Sequence, residues 1–325
     1  MKIGILGTGM IVRDLLTVIN ELSFESISLL GTDDTREETL ELVSRYGLTN
    51  AFFDYDEMLS SDIDTVYVAL PNHLHFNFAR KALLAGKHAI IEKPVVLRLS
   101  ELLTLTQIAE EKRCLIFEAM NIHYLPAFTA LKESLSDIGN VKIVSLNYSQ
   151  YSSRYDGFMQ GIIHPAFDPA RGGGAMMDIN VYNLHLVLGL FGRPLSFSYT
   201  PNIQNHVDTS GMLVMNYPGF KAVCIGAKDC QAPTHSTLQG DKGCIVLESP
   251  PNTLTGFKFK SNSGEWTESE VHSGHRLLPE FREFIRIVDQ GDVGAAAQHL
   301  MVSQVATEIL ETIRKQITME NNYVS

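Results

Sequence analysis

The chain has 325 residues, 45% of them hydrophobic and 19% charged, which suffices for a large buried core and about two domains. Its net charge of −11, with no block of Lys and Arg, argues against nucleic acid or an anionic membrane as a partner. No apolar run reaches the roughly 18 residues of a membrane span, so none is expected.

The first stretch, residues 2–6, is a short apolar strand with no signal-type segment before it. Gly7-Thr8-Gly9-Met10-Ile11-Val12 follows at once, then Leu15, Leu16, Val18, Ile19 and Leu22 at helical spacing. Strand, glycine turn and helix form the context in which a dinucleotide is bound. Gly7 permits the tight turn, and Gly9 lets the backbone approach a pyrophosphate, which the helix N-terminus favours electrostatically. Val12 stands where the pattern has its third glycine. Residues 26–32 read as a second strand closed by Asp33-Asp34. A carboxylate there suits the ribose hydroxyls of NAD and repels the 2′-phosphate of NADP. The same segment also reads as a helix start, with Thr35 and Glu38 resembling a capping box, and both roles are compatible.

Helix at 37–46, strand at 51–53, helix at 55–61 and strand at 65–69 come next. Leu70-Pro71-Asn72-His73-Leu74-His75 then leads into a helix at 75–85 capped by Gly86. Asn72 is placed to bond the cofactor's ribose or phosphates, or simply to cap the helix. His75 begins a helix aimed at the cofactor, and His73 faces solvent. Residues 89–92 form a buried strand that stops abruptly at Glu92-Lys93-Pro94. Open α/β sheets bind ligands at the carboxyl ends of their strands, so Lys93 stands at a binding edge, beside a proline that ends the strand. A helix at 100–112 and a strand at 115–118 complete a doubly wound parallel sheet.

After Asn121 the pattern changes. A helix at 124–136 contains Pro126, and a long strand runs over 141–151. Strands at 195–200, 211–216, 221–227, 234–239, 243–248 and 256–260, separated by short turns, predict a mostly antiparallel sheet. Helices at 278–290 and 295–316 end the chain. Two domains are expected, a doubly wound dinucleotide-binding domain at 1–120 and an α/β domain at 121–325.

Gly7-Thr8-Gly9-Met10-Ile11, Ala69 to His75, Ala85-Gly86-Lys87-His88, Glu92-Lys93-Pro94 and Gly172 to Tyr182 occur in an order and spacing that resembles the Gfo/Idh/MocA oxidoreductases. That family includes glucose–fructose oxidoreductase, inositol dehydrogenase and dihydrodiol dehydrogenase. The resemblance runs from Met1 to about Gly192 and thins beyond. It implies NAD(P)-dependent oxidation or reduction of a sugar, polyol or similar hydroxy compound. It also implies a C-terminal domain with a large, open, mostly antiparallel sheet that makes dimers or tetramers. The family's catalytic positions fall on Lys93, Asp178 and Tyr182, the Asp-x-x-x-Tyr form of the glucose–fructose oxidoreductase and dihydrodiol dehydrogenase branches. The cofactor set it implies, joined to the turn residues above, is Gly7, Thr8, Gly9, Met10, Ile11, Asp33, Asp34, Leu70, Asn72, His75, Glu92 and Lys93, with NAD favoured over NADP.

A dehydrogenase needs a group that takes a proton from a hydroxyl as hydride leaves the same carbon. Either Lys93 does this, its pKa lowered by its surroundings, or Tyr182 does so with Lys93 as its electrostatic partner. Glu92 is the neighbour that holds Lys93. His185 reads as structural. Asn180, where the family usually has Gly, keeps unusual backbone angles within reach but sends a side chain into space that Gly leaves open. His164, Asp168 and Arg171, with Arg154 and Tyr155, lie in a loop of the kind that lines a substrate pocket. The rival functions are a non-catalytic dinucleotide sensor on the same fold and a reductase of dihydrodiols or cyclic ketones. Eleven histidines and four cysteines show no metal-ligand spacing, so no metal is expected, and the cysteines fit a reduced, cytoplasmic protein.

Overall fold

The structure is a computed structural model. It describes residues 1–271 and 274–324, with side chains described as far as residue 319. The chain divides into two units: Met1–Ala119 with Leu277–Thr307, and Met120–Arg276 with Glu308–Ser325. The sequence division at residue 120 gave the whole second half to one domain. In the structure Leu277–Thr307 groups with residues 1–119.

The first unit alternates strand and helix: β1 (Lys2–Leu6), α1 (Met10–Leu16), β2 (Ser26–Leu30), α2 (Arg36–Tyr46), β3 (Asn50–Phe52), α3 (Tyr55–Ser60), β4 (Thr65–Val68), α4 (His75–Leu84), β5 (His88–Glu92), α5 (Leu99–Lys112) and β6 (Ile116–Ala119). The strands form one parallel sheet in the order β3-β2-β1-β4-β5-β6. Ile3, Ile5, Val66, Val68, Ala89 and Ile91 are fully buried, as strands covered on both faces require. The chain leaves β1 for β2 on one side and returns to β4 on the other. The carboxyl ends of β1 and β4 are therefore the switch point at which such sheets bind ligands.

The second unit begins with α6 (Pro126–Glu133), which has Pro126 at its first position, where the missing N–H costs nothing. It continues with β7 (Val141–Ser149), α7 (Tyr155–Met159), α8 (Val181–Phe191), β8 (Ser196–Gln204), β9 (Val207–Tyr217), β10 (Phe220–Ala227), β11 (Ser236–Gly240), β12 (Gly243–Leu247), β13 (Gly256–Ser261) and β14 (Thr267–Glu270). The sheet order is β14-β13-β12-β11-β7-β10-β9-β8, parallel only between β7 and β10. One face, with Val144, Leu146, Ala222 and Cys224, is buried, and α8 lies against β10 and β7. β8 runs on through Pro201 because it is an edge strand, where a missing N–H is tolerated. β14, with the polar sequence Thr-Glu-Ser-Glu, gave no periodic signal; it forms the opposite edge, where charge is the norm.

The chain ends in α9 (Leu278–Gln290) and α10 (Val293–Val324). Phe281 and Phe284 of α9 are fully buried. Phe281 meets the Tyr67 ring edge-on at 5.2 Å, and Phe284 lies 4.9 Å from Phe117. These aromatic contacts fasten α9 to the first sheet. Among the described residues no helix is long and apolar enough to cross a membrane.

Candidate active site

The glycine turn is built as its spacing requires. Gly7 has φ +97, its amide donates to Leu30 O at 2.9 Å, and a side chain there would meet Ala69 O at 3.1 Å. Gly9 precedes α1, and a Cβ on it would have no neighbour within 4 Å. The backbone at Gly9 therefore borders open space, and the turn fits the close approach of a pyrophosphate. Val12 is wholly buried, so the third glycine position is here a core position. The predicted long first helix stops at Leu16, and a short 3₁₀ turn, Ile19–Glu21, carries part of its apolar face.

Glu38 does not cap a helix. Its carboxylate accepts from Thr8 Oγ1 at 3.2 Å and pairs with Arg13, whose Nε donates to Thr8 O at 3.1 Å. Glu38 thus ties α2 to the glycine turn. The capping box forms three residues earlier, between Thr32 and Thr35. Asp33 is left 86% exposed beyond the end of β2, its Oδ1 accepting from Arg36 at 2.8 Å. The Arg36 guanidinium lies 3.8 Å over the Phe53 ring. Asp34 is exposed beside it, as are Gly9 and Met10; Thr8 and Ile11 are half-buried.

At the end of β5 the Glu92 carboxylate is held from two sides. The Tyr67 hydroxyl donates to Oε1 at 2.5 Å, and the Lys93 amide donates to Oε2 at 3.2 Å. The Lys93–Pro94 peptide is cis. The next strap, at Val95, is anchored by its amide to Glu118 Oε1 at 2.9 Å. His75 differs from expectation. Its ring is fully buried, with Nε2 2.7 Å from Leu70 O and Nδ1 3.0 Å from Pro94 O. Burial lowers its pKa, so the neutral ring donates to one carbonyl at a time. His75 braces the Leu70 loop against Pro94 instead of presenting its ring to a ligand. Asn72 opens a 3₁₀ turn whose cap position is Pro71, so it is not the helix cap either.

In the second unit Asp178 lies in a π-helical turn, Met176–Asn180, that runs directly into α8, with Tyr182 in the first α turn. Such turns interrupt regular helices, frequently at functional sites, and one regular helix through both residues is not what forms. Tyr182 packs in a small cluster with Tyr148, Ala175 and Ile179. Asp178 Oδ2 is 2.7 Å from Nζ of Lys228, a lysine only 3% exposed. Asn180 has ordinary helical angles, φ −74 and ψ −15. Its buried side chain turns to the sheet, Nδ2 donating to Cys224 O at 3.0 Å and Oδ1 accepting from Asn183 at 2.9 Å. It therefore occupies no open space. His185 is buried, with Nδ1 3.0 Å from His123 Nε2.

Of the loop residues, His164 and Asp168 cap two short 3₁₀ turns, and Asp168 pairs with Arg171 at 3.2 Å. Tyr155 donates to Gln204 at 2.5 Å. Deeper, Asp208 is 2% exposed and accepts from the Met176 amide at 2.7 Å and the Tyr199 hydroxyl at 2.8 Å. Burial pushes its pKa up to about 6 against the pull of those bonds and of Lys228. Among the described residues no group of three or more His, Cys, Asp or Glu could hold a metal ion.

Residues 1–120 match the family model described as "Oxidoreductase family, NAD-binding Rossmann fold", and residues 129–246 match the GFO/IDH/MocA C-terminal domain. The chain belongs to the Gfo/Idh/MocA oxidoreductase family. It is 30% identical over 284 residues to scyllo-inositol 2-dehydrogenase (NADP(+)) IolU of Bacillus subtilis, covering 86% of each protein. It is 22% identical to the trans-1,2-dihydrobenzene-1,2-diol dehydrogenase of Bos taurus, covering 98% of this chain and 97% of that one. Its fold matches that of KijD10, a 3-ketoreductase of Actinomadura kijaniata crystallised with NADP and TDP-benzene, with TM-score 0.83, 20% identity and 97% of each chain covered.

Three residues of this Gfo/Idh/MocA protein went unseen in the sequence. Tyr67 looked like one more apolar strand residue. Glu38 looked like a cap. Lys228 had a visible signal: a lysine directly after an apolar strand, the same pattern that singled out Lys93 after β5.

Proposed function

We propose that this protein is an NAD-dependent dehydrogenase of a hydroxyl group on a sugar, polyol or related compound. The observation that carries the reading is the anchoring of Lys93. The Tyr67–Glu92 bond fixes its backbone at the carboxyl end of β5, one strand from the β1–β4 switch point where the glycine turn lies. Gly7, Thr8, Gly9, Met10 and Ile11 would hold the cofactor's pyrophosphate, Asp33 and Asp34 its adenosine ribose, and the Leu70–Asn72 loop its remaining ribose and phosphates. A bound nicotinamide supplies the acceptor or donor of hydride.

The protein's own groups handle the proton. In the oxidative direction Lys93 or Tyr182 takes the proton from the substrate hydroxyl as the carbon loses hydride. The group that does not take it stabilises the developing alkoxide by hydrogen bonding or charge. Asp178 accepts a hydrogen bond from a substrate hydroxyl and fixes which carbon is presented. The preference for NAD rests on the exposed Asp33 carboxylate, which repels a 2′-phosphate. The relative with the inositol activity carries NADP(+) in its name, so the choice is a direct test of Asp33. The open face of the second sheet suits a homodimer or homotetramer, and the buried thiols of Cys114 and Cys224 suit the cytoplasm.

The test is turnover on a panel of inositols, aldoses, polyols and trans-dihydrodiols, with NADH and NADPH binding titrated in parallel. Oxidation of a sugar or polyol with NAD, and tighter binding of NADH, is the expected result. Cofactor binding with no turnover on any substrate favours a sensor. Turnover restricted to dihydrodiols moves the substrate class, and tighter NADPH binding overturns the role given to Asp33.

A further inference from the structure

Lys228 is a buried cation that the family resemblance does not assign. Lysine is almost never fully buried without a partner, and here the side chain is 3% exposed. Its Nζ lies 2.7 Å from Asp178 Oδ2, donates to Ala166 O at 2.6 Å and stands 4.2 Å above the Phe167 ring. Its main chain is pinned as well: the amide donates to Thr209 O at 2.8 Å, and the carbonyl accepts from the Ser152 amide at 2.9 Å. The two ends of the ion pair differ. Lys228 is the dry end, whereas Asp178 is 41% exposed and meets solvent.

We propose that Lys228 is the positioning residue that keeps Asp178 ionised and holds its carboxylate in one orientation toward the substrate. The proposal rests on the reading of Asp178 as part of the catalytic set. A strut of the fold would not need its charge spent on a carboxylate that faces water; a main-chain carbonyl or an apolar side chain would serve. A carboxylate meant to accept a hydrogen bond from a sugar hydroxyl must stay unprotonated and must not rotate. A buried ammonium on one of its oxygens secures both.

Other charged and titratable groups face this pair. His164 and Arg154 approach from the preceding loop; burial, then Arg154 and Lys228, lower the His164 pKa, and Asp178 raises it. Asp208 of β9 feels the Lys228 charge and is bonded by Tyr199 of β8. Asp229, next in sequence, is held by the hydroxyls of Thr209 and Ser210 at 2.7 and 2.9 Å. Tyr182 stands four residues beyond Asp178, in the first turn of α8. Asp208, whose pKa burial raises to about 6, titrates within the same range, so the pH profile must be read against an Asp208→Asn background as well.

The test uses the full chain and the best substrate of the panel, with Lys228→Met, Lys228→Arg and Asp178→Asn variants. Thermal melting, NADH affinity and kcat/KM from pH 5 to pH 10 are measured for each. Lys228→Met is expected to keep NADH affinity and to lose at least about tenfold in kcat/KM at pH 7. Its acidic limb should move up by about one unit, because Asp178 now binds a proton more readily. Lys228→Arg should restore most of the rate and the original limb. Both shifts should persist with Asp208→Asn.

An unshifted acidic limb in folded Lys228→Met overturns the proposal, as does a loss of melting temperature with unchanged kinetics. If Lys228→Met does not fold, the Lys228→Met/Asp178→Asn double variant removes both charges and carries the same test. It should fold and be no slower than Asp178→Asn alone. Additive losses in that double variant overturn the proposal. Wild-type turnover in Asp178→Asn overturns the role of Asp178 itself, a failure distinct from an inactive Asp178→Asn beside an unaltered Lys228→Met.

Discussion

Glu92 uses its two oxygens differently: Oε1 accepts from the Tyr67 hydroxyl and Oε2 from the Lys93 amide. A charge-assisted bond to a buried phenol is stiff, and Tyr67 is itself clamped by Phe281. Lys93 therefore leaves the sheet from a rooted backbone, the condition for a catalytic group with a long, flexible side chain. In the second unit the matching buried acid is Asp208, which burial lifts to about 6. The sign of its linkage follows from that rise. The folded protein holds this proton more tightly than the unfolded chain does, so folding gains from Asp208 at low pH. The gain is lost as pH climbs from about 4 through about 6. A shift of about two units corresponds to roughly 3 kcal/mol. Asp208→Asn should remove this fall, read as a flatter dependence of unfolding free energy on pH between about 4 and 6. An unchanged slope would show that Asp208 ionises freely in the folded state.

At the scale of elements, the π turn Met176–Asn180 is where local reading met its limit. The four-residue spacing of Asp178 and Tyr182 is that of one regular helical turn, yet hydrogen-bond register inside a helix is set by packing, not by spacing. Here packing means Asn180, whose amide reaches Cys224 O, and Gly226, where a Cβ would come within 2.5 Å of the Asn180 Cβ. Asn180→Ala removes two buried side-chain bonds, to Cys224 O and from Asn183 Nδ2, and leaves the Cys224 carbonyl facing a void. It should cost about 1–3 kcal/mol in urea unfolding at an unchanged m-value, and a loss below about 0.5 kcal/mol would contradict the bond's role.

The rest of the second unit divides the same way. Strands with clean alternation, such as β7 and β10, were legible. β14 was not, because an edge strand of Thr-Glu-Ser-Glu buries little. The first unit was more open to reading, since a parallel sheet writes its strands as short apolar runs between glycine and helix signals. What stayed hidden there were partnerships across long sequence separations: Tyr67 with Glu92, Thr8 with Glu38, and α9 with the first sheet.

Among the described residues, the second sheet carries one broad face of partly exposed side chains. Ile143 of β7, Val223 and Ile225 of β10, and Met212 and Val214 of β9 all point to it, as their register requires. The proposed homo-oligomer would form on this face, two copies covering each other's apolar side chains. Val223→Glu should convert a dimer or tetramer to monomer in sedimentation velocity while leaving the melting temperature of the protomer nearly unchanged. A variant that sediments as wild type would move the interface elsewhere.

The proposed function turns on Lys93, placed at the carboxyl end of β5 by the first sheet. The most direct measurement is the pairing of NADH affinity with steady-state turnover in Lys93→Met, a substitution that keeps an unbranched side chain of similar bulk and removes its charge and proton. NADH binding within about twofold of wild type and turnover reduced by at least about a hundredfold are expected. Turnover near the wild-type level, with the cofactor still bound, would contradict the role of Lys93.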